Sequence, residues 1–230
     1  MIWAGAIAGV AVTSAVWAVR GRSSQVFAPS VWHGDRSGRS VALTFDDGPS
    51  ERTPELLELL DRFAVKATFF VCGQNAERLP EVVAAIAGAG HEIGNHTWSH
   101  PRLDFASKTT MRNEIGRTQE IVRTLTGQAP RLFRAPYGVR WMGLGEIQRE
   151  FGLMGVMWTT IGRDWKLPAR MIAHRLVRGA RAGDILCLHD GRVLAANPDI
   201  TPTIEATSQV LVNLRDRQFT FRTVSAMLER

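Results

Sequence analysis

The sequence predicts one α/β domain whose parallel strands wrap into a closed or nearly closed barrel, preceded by an N-terminal hydrophobic helix. Three observations carry this reading. From Val41 onward, short apolar runs alternate with amphipathic stretches, a βα repeat that implies parallel strands with helices outside them. About seven strand candidates in roughly 190 residues suit a barrel better than an open doubly wound sheet. Residues able to bind ligands or move protons follow five strand candidates in turn, at the end where parallel barrels place their active sites.

The elements follow in order. Val41–Phe45 reads as a short buried strand, and Pro54–Phe63 as a helix with Leu56, Leu57, Leu59 and Leu60 at helical spacing and proline in its first turn. Ala67–Val71 is a strand, Ala76–Gly88 a helix stopped by Gly88 and Gly90, and His91–Gly94 a short extended run. Ser107–Leu125 is a long helix with Ser107 as N-cap and Gly127 as its stop. Leu132–Phe133 is a brief strand, Met142–Phe151 a helix, Leu153–Trp158 a strand, Pro168–Arg181 a helix and Asp184–Leu188 a strand. Thr203–Asp216 is helical, and Phe219–Arg222 is the last strand before a short terminal helix.

The chain divides into a hydrophobic anchor or signal-like segment over 1–19, a Ser-, Gly- and Arg-rich linker over 20–40, and the catalytic-type domain over 41–230. Ile2 to Val19 holds no charged residue, and Arg20 and Arg22 follow. That length is the lower limit for a membrane-spanning helix and exceeds a usual signal-peptide core, so membrane association through residues 2–19 is expected. The chain is then membrane-anchored or exported, with its domain at the cell envelope. Arg20, Arg22, Arg36 and Arg39 lie on the domain side, and the positive-inside rule would turn that side to the cytoplasm, so both orientations stay open.

Hydrophobic residues make up 45% of the 230, enough for a large core. The net charge of +6 favours anionic surroundings. The basic residues are dispersed, with no Lys/Arg block and no nucleic-acid motif, so no nucleic-acid partner is expected. No GxGxxG or Walker sequence follows any strand, which argues against nucleotide binding. Cys72 and Cys187 sit in apolar runs and read as buried thiols. Nothing in the sequence indicates the oligomeric state.

The chemistry gathers at the strand ends. Asp46-Asp47-Gly48-Pro49 follows the first strand, His96 and His100 the third, Arg134-Ala135-Pro136-Tyr137-Gly138 the fourth, Asp164 and Trp165 the fifth, and His189-Asp190 the sixth. His96 and His100 are four apart, so one helical turn would put both rings on one face. Two imidazoles and a carboxylate form a three-ligand site with open positions, suited to catalytic zinc or a related divalent ion; a non-haem iron oxygenase uses the same set. Successive strand side chains point opposite ways, so one of Asp46 and Asp47 is free for a second task; an Asp-Asp-Gly-Pro fragment alone also reads as a turn. His91 reads as a structural histidine.

Together these residues resemble the NodB-homology, or carbohydrate esterase family 4, polysaccharide deacetylases over about residues 40–225. The motifs stand in order as Thr44-Phe45-Asp46-Asp47-Gly48-Pro49, His96-Thr97-Trp98-Ser99-His100-Pro101, Arg134-Ala135-Pro136-Tyr137-Gly138, Asp164-Trp165 and Leu188-His189-Asp190. The resemblance implies a distorted (β/α)7 barrel and removal of N-acetyl groups from an N-acetylglucosamine polysaccharide, peptidoglycan or chitin-like. It implies one divalent metal ion, Zn before Co, Mn or Ni, held by Asp47, His96 and His100. Asp46 would be the general base, Arg134 its holder, the Tyr137 backbone N–H an oxyanion donor, His189 the general acid and Asp164 the residue that tunes it. Tyr137, Trp165, Cys187 and Leu188 would bind substrate, with Cys187 where the family usually has leucine against the acetyl methyl. Ile161 replaces an aspartate that the family often has. Two alternatives remain: a deformylase or deacetylase of a lipid-linked sugar, and a non-catalytic sugar-binding module.

Overall fold

The structure, a computed structural model, describes residues 13–229. Its sheet is all parallel, with β1 (Ser30–Val31), β2 (Ser40–Gly48), β3 (Thr68–Val71), β4 (Glu92–Asn95), β5 (Leu132–Phe133), β6 (Met154–Val156), β7 (Thr160–Ile161) and β8 (Ile185–His189) in the order β1-β6-β5-β4-β3-β2-β8-β7. A ninth strand, β9 (Thr220–Phe221), pairs with the start of β2. The helices are α1 (residues 13–20), α2 (Thr53–Arg62), α3 (Gly73–Arg78), α4 (Pro80–Gly88), α5 (Lys108–Thr126), α6 (Leu144–Glu150), α7 (Ala169–Val177), α8 (Thr201–Asp216) and α9 (Val224–Leu228).

The sheet curls into a distorted, partly open barrel, because β6 and β7 follow one another without pairing. The chain after β1 bridges the gap at the bottom: His33 pairs antiparallel with Asp184, and Gly34 N–H donates to the Gly183 carbonyl at 2.7 Å. All seven strands read from the sequence are present; β1 and β7, two residues each, are additional.

Two-residue alternation explains the layering. Val41, Leu43 and Phe45 of β2 and Leu186 and Leu188 of β8 face outward, onto Leu56 and Leu60 of α2, Ile172 and Leu176 of α7, and Val210, Leu211 and Leu214 of α8. Burying each such side chain contributes roughly 1.5–3 kcal/mol. Ala42, Phe70, Leu132, Val156 and Ile185 pack with Val224 and Met227 of α9 in a separate cluster. Above it on β2, Thr44 and Asp46 are buried polar residues, so the interior turns from apolar to polar towards the strands' C-terminal ends.

Local chemistry sets the helix limits. Ser107 Oγ accepts from Thr110 N–H at 3.0 Å, and Gly127 closes α5 in the left-handed region at φ 78°. The helix expected over Ala76–Gly88 is two helices, because Leu79 before Pro80 leaves helical geometry (φ −130°, ψ 58°).

The 20–40 stretch, read from its composition as a linker, is woven into the domain. It supplies β1, buries Ala28 against Leu144 and Ile147 of α6, and takes a hydrogen bond from Arg140 at the Ser24 carbonyl, 2.7 Å. Most of the hydrophobic segment 2–19 lies outside the described residues. Residues 13–20 are helical, and among the described residues no helix is long and apolar enough to cross a membrane.

Candidate active site

Five strand ends converge on a cavity of about 530 Å³ lined by Asp46, Asp47, His96, His100, Tyr137, Trp165 and His189. Its volume is ordinary for a ligand site. Ala135, Trp158, Ile161, Arg20, Arg192 and Val193 complete the wall.

Asp46 and Asp47 both face this cavity, against the simple alternation expected of a strand. The register of β2 against β3 shifts between Asp46 and Gly48, and Asp47 takes φ 69°. That bulge re-aims the second carboxylate to the same side as the first. Gly48 is required behind it: a Cβ there would stand 2.2 Å from Asp190 Oδ2.

His96 and His100 converge too, but not on a helical turn. The segment after β4 is a loop with Thr97 at φ 69° and His100 at φ 57°. Glu114 on α5 clamps it: its carboxylate accepts from Trp98 N–H at 3.0 Å, Ser99 N–H at 2.8 Å and Ser99 Oγ at 2.8 Å. Asn95 Oδ1 accepts from Thr97 N–H at 2.8 Å. These supports escaped the motif reading. Glu114 does carry a signal, since it lies on the α5 stripe that buries Met111, Ile115, Thr118 and Val122.

The three donors fit a divalent ion. Asp47 Oδ1 is 3.1 Å from His100 Nε2 and 3.4 Å from His96 Nε2. Ligand atoms about 2.0–2.1 Å from a tetrahedral ion lie roughly 3.3 Å from one another, close to both values. His96 Nδ1 is hydrogen-bonded to the Arg134 carbonyl at 2.7 Å, which leaves Nε2 without its proton and available as a ligand. Asp47 Oδ2 is held by Val193 N–H at 3.0 Å. Burial would raise the Asp47 carboxyl, but the imidazoles of His100 and His96 beside it outweigh this and hold the group well below the usual carboxylate range.

Beside this triad, Arg134 is wholly buried and donates through Nη1 to Asp46 Oδ1 at 2.5 Å and to Thr44 Oγ1 at 2.7 Å. Its guanidinium lies 4.0 Å from the Phe70 ring centroid. Cys187 Sγ approaches Asp46 Oδ2 at 3.4 Å, and burial pushes that thiol well up. His189 Nδ1 donates to Asp164 Oδ1 at 2.8 Å, while Asp164 Oδ2 accepts from His189 N–H at 2.9 Å and Thr203 Oγ1 at 2.6 Å. Burial alone would lower His189; the Asp164 charge and hydrogen bond reverse this and push it up to about 9. Asp190, buried behind the pair of aspartates, is pushed up to about 7 by burial.

Tyr137 sits in a left-handed turn (φ 57°), half exposed, its ring edge-on to His100 at 4.7 Å. Trp165, 51% exposed, stands edge-on to His189 at 5.0 Å. Leu188, grouped with the substrate-binding residues, points the other way into the helix-side core, because strand alternation puts Cys187 and His189 inside and Leu188 outside. His91 is structural: its Nδ1 accepts from Ala67 N–H at 3.1 Å.

Fold and site define a distorted parallel α/β barrel in which Arg134-bound Asp46 and Asp164-backed His189 flank a two-histidine, one-carboxylate cluster. Residues 33–156 match the polysaccharide deacetylase family. The chain is 36% identical to a peptidoglycan-N-acetylglucosamine deacetylase of Bacillus cereus over 82% of its own length and 68% of that protein's. It is also 36% identical to a chitooligosaccharide deacetylase of Bradyrhizobium over 81% of its length and 90% of that protein's. The crystal structure of the Bc1960 peptidoglycan N-acetylglucosamine deacetylase superposes with a TM-score of 0.81 at 35% identity, covering 85% of this chain and 91% of that one. The chain therefore belongs to the polysaccharide deacetylase family.

Proposed function

We propose that this enzyme removes N-acetyl groups from N-acetylglucosamine units of an envelope polysaccharide, releasing acetate and a free amine. The observation that carries the reading is the placement of Asp46 and His189 at one cavity with the Asp47, His96 and His100 triad. Relatives that act on peptidoglycan N-acetylglucosamine and on chitooligosaccharides support the substrate class.

The residues divide the work. Asp47, His96 and His100 would hold a divalent ion, which would supply Lewis acidity for the acetyl carbonyl and make water more acidic. Asp46, oriented by Arg134, takes the proton from the attacking water. Water oxygen bonds to the acetyl carbon and the C–N bond breaks. His189, kept protonated by Asp164, delivers the proton that lets the amine leave. The Tyr137 N–H supports the oxyanion, Trp165 flanks the sugar, and Cys187 sits against the acetyl methyl.

Acetate release from N-acetylglucosamine oligomers and from peptidoglycan, before and after chelation and with Zn²⁺, Co²⁺, Mn²⁺ or Ni²⁺ restored, tests this. No acetate from any substrate with any ion would refute it.

A lipid-linked sugar substrate is the second reading. It is favoured by the uncharged run 2–19, which leads to Arg20 at the cavity wall and would hold the site near a membrane surface. A topology reporter fused after Arg230 tests it, since a cytoplasmic location of the domain is required.

A further inference from the structure

Arg20 is a cation of the cavity wall with no ion-pair partner among the described residues. It ends α1 and lines the same cavity as Asp47, His100 and Trp165. Its backbone is pinned on both sides. Gly21 N–H donates to the Trp17 carbonyl at 2.7 Å, Ser24 Oγ to the Ala18 carbonyl at 2.9 Å, and Arg140 N–H to the Val19 carbonyl at 3.0 Å. The Arg140 guanidinium, buried beneath, donates to the carbonyls of Ser24 and Gly21. Arg22 donates to the Thr159 carbonyl and stacks 5.0 Å over Trp32. A surface strand of chain held at this many points fixes where the Arg20 side chain starts.

The other charges of the cavity are committed inside the protein. Asp46 pairs with Arg134, Asp47 with the two histidines, and His189 with Asp164. Arg192 donates to the carbonyls of His189, Gly191 and Asp164 and to Thr203 Oγ1. Among the described residues no carboxylate lies within ion-pair distance of Arg20. The acid whose field it shares, Asp104, is bound by Arg102. The exposed guanidinium fork is therefore left for an anion arriving with the substrate, and a guanidinium matches a carboxylate bidentately.

We propose that Arg20 is a specificity-determining residue that binds a carboxylate on the sugar next to the one being deacetylated. The preferred substrate is then an acidic glycan of the peptidoglycan kind, whose alternate sugars carry a lactyl carboxylate free of any peptide stem, over a neutral chitin oligomer. This rests on the deacetylase reading above and decides between the two substrate classes that reading leaves open.

Three tetramers of equal length separate charge from bulk: neutral N-acetylglucosamine tetramer, alternating N-acetylglucosamine and N-acetylmuramic acid with free lactyl carboxylates, and the methyl ester of the latter. In the full chain, Arg20→Gln is expected to raise KM for the acidic tetramer about 5- to 10-fold with kcat unchanged, and to leave the other two within about twofold. Arg20→Lys recovers part of the loss, and the wild-type preference shrinks as salt rises. Titration calorimetry with the same tetramers reads the preference without turnover. A charge preference that persists without acetate release would sink the deacetylase reading and keep this one. Equal affinity for the acidic tetramer and its ester, or an Arg20→Gln effect equal on all three, overturns it.

Discussion

Asp46 and His189 stand side by side in register on the adjacent parallel strands β2 and β8, and the ligand atoms of the cluster they form with Cys187 lie within 4.8 Å of one another. In the proposed reaction Asp46 is the base and His189 the acid, and the two are neighbours. Chemistry accounts for it: the attacking oxygen and the leaving nitrogen are bonded to one carbon, so base and acid serve atoms that are themselves close together.

His189 holds its proton up to about pH 9, chiefly because Asp164 outweighs the effect of burial. The folded value lies above the ordinary 6.5, so the proton is in place below that pH and is lost as pH rises through about 9. In Asp164→Asn the alkaline limb of the kcat profile is expected to move to lower pH. An unmoved limb in the pH profile would remove Asp164 from this role.

Arg134 and Asp46 form a buried pair, 0% and 4% exposed at their side chains. Arg134→Met leaves the carboxylate buried and unpaired, a loss of about 3–5 kcal/mol. Urea unfolding should show this, and adding Asp46→Asn should return part of the stability. A double variant no more stable than Arg134→Met contradicts the pairing argument.

Glu114 holds the His96–His100 loop in its left-handed turns. Glu114→Ala is expected to weaken zinc binding about 10- to 100-fold in competition with a chelating dye. At saturating zinc, kcat should stay near wild type. Unchanged affinity would make Glu114 a bystander.

His91 is buried and accepts through Nδ1, and burial pushes it down to about 4. The unfolded chain binds its proton near 6.5, so the folded state loses stability as pH falls from about 6.5 to 4. In His91→Asn the urea midpoint should fall less steeply over that window than in wild type. Identical slopes would show that His91 is not part of the acid sensitivity.

The site was legible because its residue types are rare together and each follows a strand, where a parallel barrel gathers them. The local reasons were less legible. A helical turn was the natural reading of His96 and His100, whereas two left-handed residues and a carboxylate clamp set their convergence. Alternation was the natural reading of Asp46 and Asp47, and the bulge overrides it. β1 is two residues long in a stretch of loop-like composition, so only its partner β6 makes it a strand. Arg20 gave no sequence signal, since it joins the cavity through backbone hydrogen bonds from distant Arg140. Leu188 belongs to the motif that holds His189, but side-chain parity turns it into the helix-side core.

Metal content and acetate release, measured on the same preparations of wild type, Asp46→Asn and His96→Ala, test the central claim most directly. One divalent ion per chain is expected in wild type and Asp46→Asn and none in His96→Ala, with turnover in wild type alone and at least about a 100-fold loss in Asp46→Asn. Full turnover in chelated wild type, or in Asp46→Asn, would contradict a division of labour between an ion-holding triad and a separate aspartate base.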